Sequence, residues 1–350
     1  MIDWLTCKIA VNLPAPIANR WTVKVRADGI EERRTPHGLP VAGSFESSLM
    51  IRAVRPEELE LSGNVAKFLQ GHNLYGPDDP TELLWAALQR LEPHLGAKLP
   101  QIGLTSPSEL ARRTAVTRVD CTEMLQFETF GDVHAFLRSA EATGRIPRRG
   151  RGVFDSGTLV FGHAKGKSRT RWQIVLYSKG QEVTAHPLPP VMTQERDVLE
   201  WVNRCLRVEI RLFRNELRER DLRSLARWES RTAAMMWREK VEQLSFNEVF
   251  VDDIGDLSKL PDHLRGTYAQ WKLGHDLRSS MTKAKFYRHR RLIESLTGVD
   301  ISIAPASSAL PSVVPIKRVL EAGIVRRPAW SNRVDQQLHD AGCVVFRSAA

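Results

Sequence analysis

Tyr177 stands at the end of an apolar run, in the segment VLYSKGQEV, with a lysine and a glutamate close behind it. The unperturbed pKa of a phenol is about 10, so at neutral pH tyrosine is a poor nucleophile unless nearby charge assists it. Lys179, two residues on, is predicted to lie on the same strand face, where its charge would stabilise a phenolate or a pentavalent phosphate. Glu182 follows the predicted strand end and is a candidate base or metal ligand. A packed tyrosine beside an exposed lysine fits the same pattern.

Two acids, Asp120 and Glu209, lie in the middle of other predicted strands, in TRVDCT and LRVEIR. A carboxylate in such a place is costly to desolvate unless it is paired or binds a metal. In one interpretation each acid forms an ion pair with a neighbouring arginine, Arg118 or Arg207. In the other, the strands are adjacent and both carboxylates converge on Mg²⁺ or Mn²⁺, which prefer oxygen ligands. The residues alone leave both open.

His72, in the sequence QGHN, is a candidate metal ligand, phosphate donor or turn residue. The chain contains no HxH or HExxH pair, which argues against a zinc hydrolase, and no GxxxxGK[ST] or GxGxxG phosphate loop. The four cysteines are far apart and form no CxxC pair, so neither a zinc knuckle nor a compact disulfide framework is indicated.

Basic residues are concentrated in two segments. The first runs from Arg145 to Arg171, contains a single acid, and leads into the strand of Tyr177. The second, TKAKFYRHRRL, combines cations with Phe286 and Tyr287, which suits backbone neutralisation and base stacking, although a solvated helix face fits it equally well. The predicted DNA-binding residues are Arg118, Arg148, Arg149, Arg151, Lys165, Lys167, Arg169, Arg171, Arg207, Lys285, Arg288 and Arg290.

The bulk composition is that of a soluble globular protein, with 350 residues, 42% hydrophobic and 26% charged. Lys and Arg number 51 against 41 Asp and Glu, and the net charge of +10 favours a polyanion or an anionic surface as partner. The N-terminus lacks the pattern of a signal peptide, and no run approaches the roughly 18–20 apolar residues of a membrane helix. A cytoplasmic protein without a membrane partner is expected.

The elements that must position these residues follow an α+β pattern. Strands are predicted at WLTCKIAVNL, SFESSLMIRAV, TAVTRVDCTEML, RWQIVLYSKG and RCLRVEIRLFR, and the segment ERRTPHGLP is predicted to be a turn region. The last three strands have a two-residue period that separates an apolar face from a polar one.

The fold class is therefore predicted to be α+β: an antiparallel sheet with helices on one face, followed by a mostly helical region. The predicted divisions are a catalytic domain at 1–215, a helical DNA-binding or accessory region at 216–303, a Pro/Ser/Ala-rich linker at 304–315 and a tail at 316–350.

The chain resembles the replication initiators of filamentous phages, the phage/plasmid replication protein II/X family. The resemblance begins with MIDWL and is most specific in AKFLQGHNLYG. It continues through TRVDCT, YSKGQE and LRVEIRL to FYRHRRLI, VLEAGIV and RRPAW, so it covers most of the chain in the right order. The nuclease domain is then expected to resemble that of rolling-circle initiators.

The resemblance implies a site-specific DNA nickase and ligase. Such a protein binds the plus-strand origin, cuts one strand to leave a 3′-hydroxyl primer, and later seals the displaced strand. It implies Mg²⁺ or Mn²⁺ as cofactor, double- and single-stranded origin DNA as partner, and a host helicase and polymerase as further partners. The paired-histidine motif of many rolling-circle initiators is absent, so a mostly carboxylate ligand set is expected. The implied site residues are the nucleophile Tyr177 with Lys179, and the metal ligands Asp120, Glu209, Glu182 and His72.

Two other functions fit the same residues. A non-catalytic origin-binding regulator would use the helical C-terminal half and leave Asp120 and Glu209 as structural ion pairs. A metal-dependent nuclease would use water as the nucleophile, with Tyr177 stacking on a base. Tyr75, in HNLYG, is the competing tyrosine.

Overall fold

The centre of the protein is a nine-stranded antiparallel sheet with the order β10-β11-β12-β13-β7-β1-β6-β5-β4. The computed structural model describes residues 1–18, 20–147, 149–155, 157–162, 170–246, 260–272, 277–297, 299–303, 324–325 and 327–346. The strands are β1 Ile2–Ala10, β2 Arg20–Val25, β3 Glu31–His37, β4 Leu39–Ala42, β5 Ser48–Arg55, β6 Glu58–Asn64, β7 Thr114–Gln126, β8 Gly144–Ile146, β9 Gly150–Arg151, β10 Val153–Asp155, β11 Thr158–Phe161, β12 Trp172–Ser178, β13 Cys205–Phe213 and β14 Ser245–Phe246.

Helices precede, interrupt and follow the sheet strands. They are α1 Val65–Gln70, α2 Pro80–Leu95, α3 Pro107–Arg113, α4 Phe130–Thr143, α5 Lys179–Ala185, α6 Pro190–Thr193, α7 Arg196–Asn203, α8 Arg214–Glu219, α9 Thr232–Val241, α10 Asp262–Lys272, α11 Leu277–Ser280, α12 Lys283–Thr297 and α13 Ser331–Asp340, with short 3-10 helices at Leu99–Ile102 and Leu225–Arg227. Within the described ranges, none of these helices is both long and apolar enough to cross a membrane.

The sheet has one apolar face, and the helices cover it. Alternate side chains such as Leu5 of β1, Val119 of β7 and Ile210 of β13 are fully buried in one continuous core with the apolar sides of α1, α2, α3, α4 and α9. The indole of Trp237 in α9 donates to the carbonyl of Val208 at 2.9 Å, which fixes this helix against the sheet. The α+β prediction, with helices on one face, is confirmed.

The segment ERRTPHGLP, predicted as a turn region, instead forms β3 and the start of β4. β2 and β3 pair with each other as a two-stranded hairpin, and every residue of β2 is exposed. The sequence of β3, EERRTPH, has no alternation of apolar and polar residues, so it carries only a weak strand signal.

Two smaller apolar clusters lie outside the main core. Trp330, Val334 and Leu338, at and within α13, pack with Tyr75 and Trp201. Helices α10, α11 and α12 share a small core of their own, made by Leu260, Leu264, Leu277, Phe286, Ile293 and Ile301. The predicted linker at 304–315 lies outside the described residues, and the domain boundaries stay predictions.

Candidate active site on the polar face of the sheet

Tyr177 and Glu209 meet on the polar face of the sheet. In the antiparallel pairing of β12 with β13, Tyr177 is opposite Arg207 and Val175 is opposite Glu209, so Glu209 is the diagonal neighbour of the tyrosine. The phenol Oη donates to Glu209 Oε1 at 2.6 Å. The candidate nucleophile is therefore hydrogen-bonded to a carboxylate that can accept its proton.

Two arginines of β13 hold this glutamate. Arg207 Nε lies 3.2 Å from Glu209 Oε1, and Arg211 Nη2 lies 3.0 Å from Oε2. The Arg207 side chain is fully buried, forms a 2.8 Å ion pair with Asp3 and donates to the backbone carbonyl of Asn73. Its predicted contact with DNA therefore does not fit this arrangement, because it acts as a buried positive charge inside the site.

The surroundings shift the two pKa values in opposite directions. Burial raises the pKa of Tyr177 well above its usual value, and the Arg207 charge opposes this only in part. Burial also acts to raise the pKa of Glu209, but Arg207 and Arg211 outweigh it, and that pKa lies below its ordinary value. At neutral pH the pair is a protonated phenol bound to an ionised carboxylate.

Asp120 lies on the neighbouring strand β7, opposite Arg211 in the pairing with β13. Arg118 binds it with two hydrogen bonds, Nε to Oδ1 at 2.8 Å and Nη2 to Oδ2 at 2.5 Å. Arg211 Nε is 3.7 Å from Oδ2, so one guanidinium bridges Asp120 and Glu209. Burial raises the pKa of Asp120 to about 6, with Arg118 opposing and Glu209 adding to the rise. The ion-pair interpretation describes both acids in this arrangement.

The prediction that Lys179 extends the strand beside Tyr177 is wrong, since β12 ends at Ser178 and Lys179 begins α5. The lysine is buried, and its Nζ donates to Asn73 Oδ1 at 2.8 Å and to Glu182 Oε2 at 2.5 Å. Burial lowers its pKa, and Glu182 opposes that shift. In the described structure its hydrogen bonds join the loop after α1 to α5, and none goes to Tyr177.

His72 and Tyr75 lie together in the buried loop after α1, with ring centroids 4.5 Å apart. The backbone N–H of Leu74 donates to His72 Nδ1 at 3.2 Å. Burial, with help from Lys179, lowers the pKa of His72 to about 3, so the ring is neutral. Tyr75 donates to Asp335 Oδ1 at 2.7 Å, and burial raises its pKa. This competing tyrosine is 4% exposed, and its hydroxyl is engaged with Asp335.

The four predicted metal ligands do not form one group. Asp120 is bound by Arg118, and Glu209 is bound by two arginines and Tyr177. Glu182 is bound by Lys179, and His72 packs beside Tyr75 in the loop after α1. Across the ranges that the structure describes, no three His, Cys, Asp or Glu side chains are arranged to hold a metal ion. The donor set as arranged does not fit a divalent ion, and the requirement for Mg²⁺ or Mn²⁺ stays a prediction.

The two arginines of the first basic segment that were predicted to bind DNA and whose side chains are described, Arg149 and Arg171, lie away from Tyr177. Arg171 precedes β12 and pairs with Glu216 at 2.7 Å, and Arg149 lies 4.1 Å above the ring of Trp172. Both are at the end of β12 away from Tyr177. Six residues separate Arg171 from Tyr177, and at about 3.3 Å per residue their backbones are on the order of 20 Å apart. The side chain of Arg151 is not described, and Arg148, Lys165, Lys167 and Arg169 lie outside the described residues.

The second basic segment forms α12, as its helical pattern predicts. Lys285 and Arg288 are exposed on its surface, where they are available to a polyanion. Arg290 differs, because both of its hydrogen-bonding nitrogens, Nε and Nη2, are held by the carboxylate of Asp300 at 2.6 and 2.7 Å. Its geometry is that of a structural ion pair.

Sequence reasoning missed three residues of the site: Asp3, Asn73 and Arg211. Arg211 carried a usable signal, since it continues the two-residue period of Arg207 and Glu209 on the polar face. Asp3 and Asn73 approach from elements distant in sequence, and only the folded arrangement brings them to Arg207.

Comparison with known proteins identifies the family. A family model for the N-terminal part of the phage replication-associated protein encoded by gene II matches residues 1–231, and the model for the C-terminal part of the same protein matches residues 256–335. The replication-associated protein of this type from Enterobacteria phage I2-2 is 31% identical over 334 residues, which cover 92% of this chain and 94% of the relative. No solved structure gives a significant match. The resemblance is confirmed: the chain belongs to the family of gene II-type replication-associated proteins, the replication initiators of filamentous phages.

Proposed function

We propose that this replication initiator is a tyrosine-dependent DNA nickase that cuts the plus-strand origin and later reseals the displaced strand. The observation that carries the proposal is the 2.6 Å hydrogen bond from Tyr177 to Glu209, in a site lined by arginines. A phenol with a raised pKa becomes a nucleophile only if a base takes its proton during attack. Glu209 is in hydrogen-bonding position to do so.

In the first step Tyr177 Oη attacks the scissile phosphorus while its proton passes to Glu209. The new O–P bond joins the 5′-phosphate of the downstream strand to the tyrosine, and the bond from phosphorus to the 3′ oxygen of the upstream strand breaks. The leaving 3′ oxygen takes a proton from water and becomes the 3′-hydroxyl that primes synthesis, while Glu209 releases the tyrosine proton to water. The reverse reaction, with a 3′-hydroxyl attacking the phosphotyrosine, seals the strand without a nucleotide cofactor, because the bond energy is retained.

Arg211, which shares Glu209 with the phenol, supplies positive charge for the phosphate, and Arg118 continues the same network through Asp120. The side chains of Arg211 and Arg118 are 31% and 27% exposed, whereas the carboxylates they bind are buried. Guanidinium groups suit phosphate oxygens, and their charge stabilises the developing transition state. Mg²⁺ or Mn²⁺ is proposed as a requirement from the family resemblance, and no step is assigned to it.

The proposed partners are the double- and single-stranded origin DNA and, from the resemblance, the host helicase and polymerase that extend the primer. The proposed location is the cytoplasm of the host bacterium.

One observation favours a second function, a non-catalytic origin-binding regulator. Asp120 and Glu209 both form ion pairs with arginines, which is the arrangement expected if the two acids are structural.

The test is incubation of supercoiled origin DNA with the protein and Mg²⁺ or Mn²⁺, or with EDTA, followed by denaturation and peptide mapping. We expect nicked circles with DNA bound to the peptide containing Tyr177, and no such product from Tyr177→Phe, which should still bind the origin. Tyr268→Phe is the matched control, because that tyrosine lies on α10 and packs against the small core of α10, α11 and α12.

The other outcomes separate the alternatives. Retarded but intact DNA with the wild-type protein would identify a binding regulator. Nicked DNA without attached protein would identify a nuclease that uses water. Cleavage by Tyr177→Phe at the wild-type rate would show that this residue is not the nucleophile. Cleavage in the presence of EDTA would show that no divalent ion is required.

A further inference from the structure

A cationic groove lies on the polar face of the sheet, at the end away from Tyr177. Its volume is about 420 Å³. On β1, Lys8 is on the same face as Trp4 by strand alternation, and Trp4 pairs with Asp120 of the candidate site. Four residues at about 3.3 Å each separate Trp4 from Lys8, so the groove is on the order of 13 Å further along the strand. The charged residues that line it are Lys8, Arg113, Arg214, Arg223, Glu57 and Glu58.

Two of these cations are already neutralised. Lys8 Nζ lies 2.5 Å from Glu58 and 2.9 Å from Glu60, and Arg113 is paired with Glu109. Of the two acids that line the groove, Glu58 is paired with Lys8, and Glu57 leaves one negative charge against two further arginines. The charge that remains for a ligand comes from the other two arginines.

Arg214 and Arg223 have no side-chain hydrogen bond or ion pair within the part of the chain that the structure describes. Arg214 is exposed at the start of α8, whereas Nε of Arg223 is buried without an acceptor. The backbone of Arg223 is fixed, because its carbonyl accepts a 2.7 Å hydrogen bond from Val116 of β7. Arg223 as a whole is partly exposed, so two guanidinium groups without a carboxylate partner among the described residues border the groove, and an anionic ligand would pair with both.

Aromatic rings lie between this groove and the candidate site. The guanidinium of Arg118 is 4.8 Å from the ring centroid of Trp4 and 5.8 Å from that of Phe213. Both rings are partly exposed on the polar face. Aromatic and guanidinium planes stack on unpaired bases, whereas paired bases in a duplex are covered by their neighbours.

We propose that this groove binds a backbone phosphate of the single DNA strand whose cleavage site is at Tyr177, with Arg214 and Arg223 as the donors. The inference rests on the proposed function and extends it to the path of the strand. The phosphate sits against the two arginines, and the intervening bases lie along Trp4 and Phe213. A free phosphate ion has the same chemistry, so the experiment must separate the two sources.

The experiment measures the affinity of a labelled single-stranded oligonucleotide spanning the origin by fluorescence anisotropy across a range of salt concentrations. Each lost phosphate contact should make the slope of log K against log salt less steep by about 0.7 for a single strand. We expect this change for Arg214→Gln and for Arg223→Gln, and about twice it for the double variant. Arg196→Gln, whose side chain is 91% exposed and pairs with Glu200, is the control and should keep the wild-type slope.

Thermal melting of each variant shows that it is folded before its slope is interpreted. Slopes equal to that of the control would overturn the proposal, and so would a slope change seen with duplex DNA alone. Stabilisation of the wild type by inorganic phosphate, lost in the variants while the DNA slopes stay equal, would assign the groove to a free anion instead. The slope does not depend on cleavage, so the two failures are distinguishable: equal slopes refute the groove as a phosphate site, whereas absence of a covalent adduct refutes the nickase proposal and leaves the groove as a DNA-binding site without a cleaved strand.

Discussion

Replacement of Glu209 by glutamine tests the assignment of this residue as the base. Glutamine keeps the size of the side chain and an oxygen for the 2.6 Å hydrogen bond from Tyr177, but it cannot take the proton. General-base catalysis contributes roughly 10²- to 10⁴-fold, so the single-turnover rate of adduct formation should fall by about that factor. This loss corresponds to an increase of about 3 to 5 kcal/mol in the activation free energy, because each tenfold change in rate equals about 1.4 kcal/mol.

The pH dependence of the rate distinguishes a lost base from a distorted site. In the wild type the pKa of Glu209 is depressed, so the base is ionised at neutral pH and activity is lost only as the pH falls through that depressed value. In Glu209→Gln the phenol must ionise without help, and its pKa lies well above the usual value. The rate of the variant should therefore rise about tenfold per pH unit between pH 6 and 9, where the wild type is level.

The assay is single-turnover formation of the covalent adduct on an origin oligonucleotide, with Glu209→Asp as the conservative variant and Glu219→Gln as an exposed control. Partial activity in Glu209→Asp is expected, because a carboxylate remains at a greater distance. A Glu209→Gln rate within threefold of the wild type, or one that shows no dependence on pH, would refute the assignment of Glu209 as base. Recovery of the full rate at raised Mn²⁺ would instead assign Glu209 to the metal.

Two further predictions separate structural ion pairs from surface charge. Arg288→Ala on α12 should weaken DNA binding and reduce its salt dependence. Arg290→Ala removes an arginine that is paired with Asp300, so it should mainly lower the midpoint of thermal unfolding. Equal losses of DNA affinity in the two variants would contradict this prediction. Glu216→Ala should lower the free energy of unfolding by about 3 to 5 kcal/mol, because it leaves the buried Lys240 without the carboxylate that lies 2.6 Å from its Nζ. Glu219→Ala, at an exposed carboxylate, should cost about 1 kcal/mol or less in the same urea titration, and similar losses for the two would count against the burial argument.

The faces of the strands were predictable from the sequence, but the contacts between strands were not. The two-residue period placed Tyr177, Glu209 and Asp120 on polar faces, and the structure agrees. Strand order and register depend on pairings between residues distant in the chain, so the hydrogen bond from Tyr177 to Glu209 and the bridging role of Arg211 appear only in the folded sheet.

The wrong placement of Lys179 has a local cause that the sequence did contain. Ser178 is the N-cap of α5, and its side chain accepts from the backbone N–H of Gln181 at 3.4 Å. A serine followed three residues later by glutamine is a helix-start signal, and it competes here with the apolar run that predicts a strand. Lys179 and Glu182 therefore share the first turn of a helix, where they bind each other.

The charge balance of the site favours proton transfer to Glu209 over loss of the proton to solvent. The network contains three carboxylates and three guanidinium groups in alternation: Asp3, Arg207, Glu209, Arg211, Asp120 and Arg118. A phenolate formed by losing its proton to water would add a negative charge to this balanced, largely buried network, which is costly at low dielectric constant. Transfer to Glu209 leaves the total unchanged while the new bond to phosphorus forms. The charge of the phosphate is then balanced by Arg211, the partly exposed member of the network that shares Glu209 with the phenol.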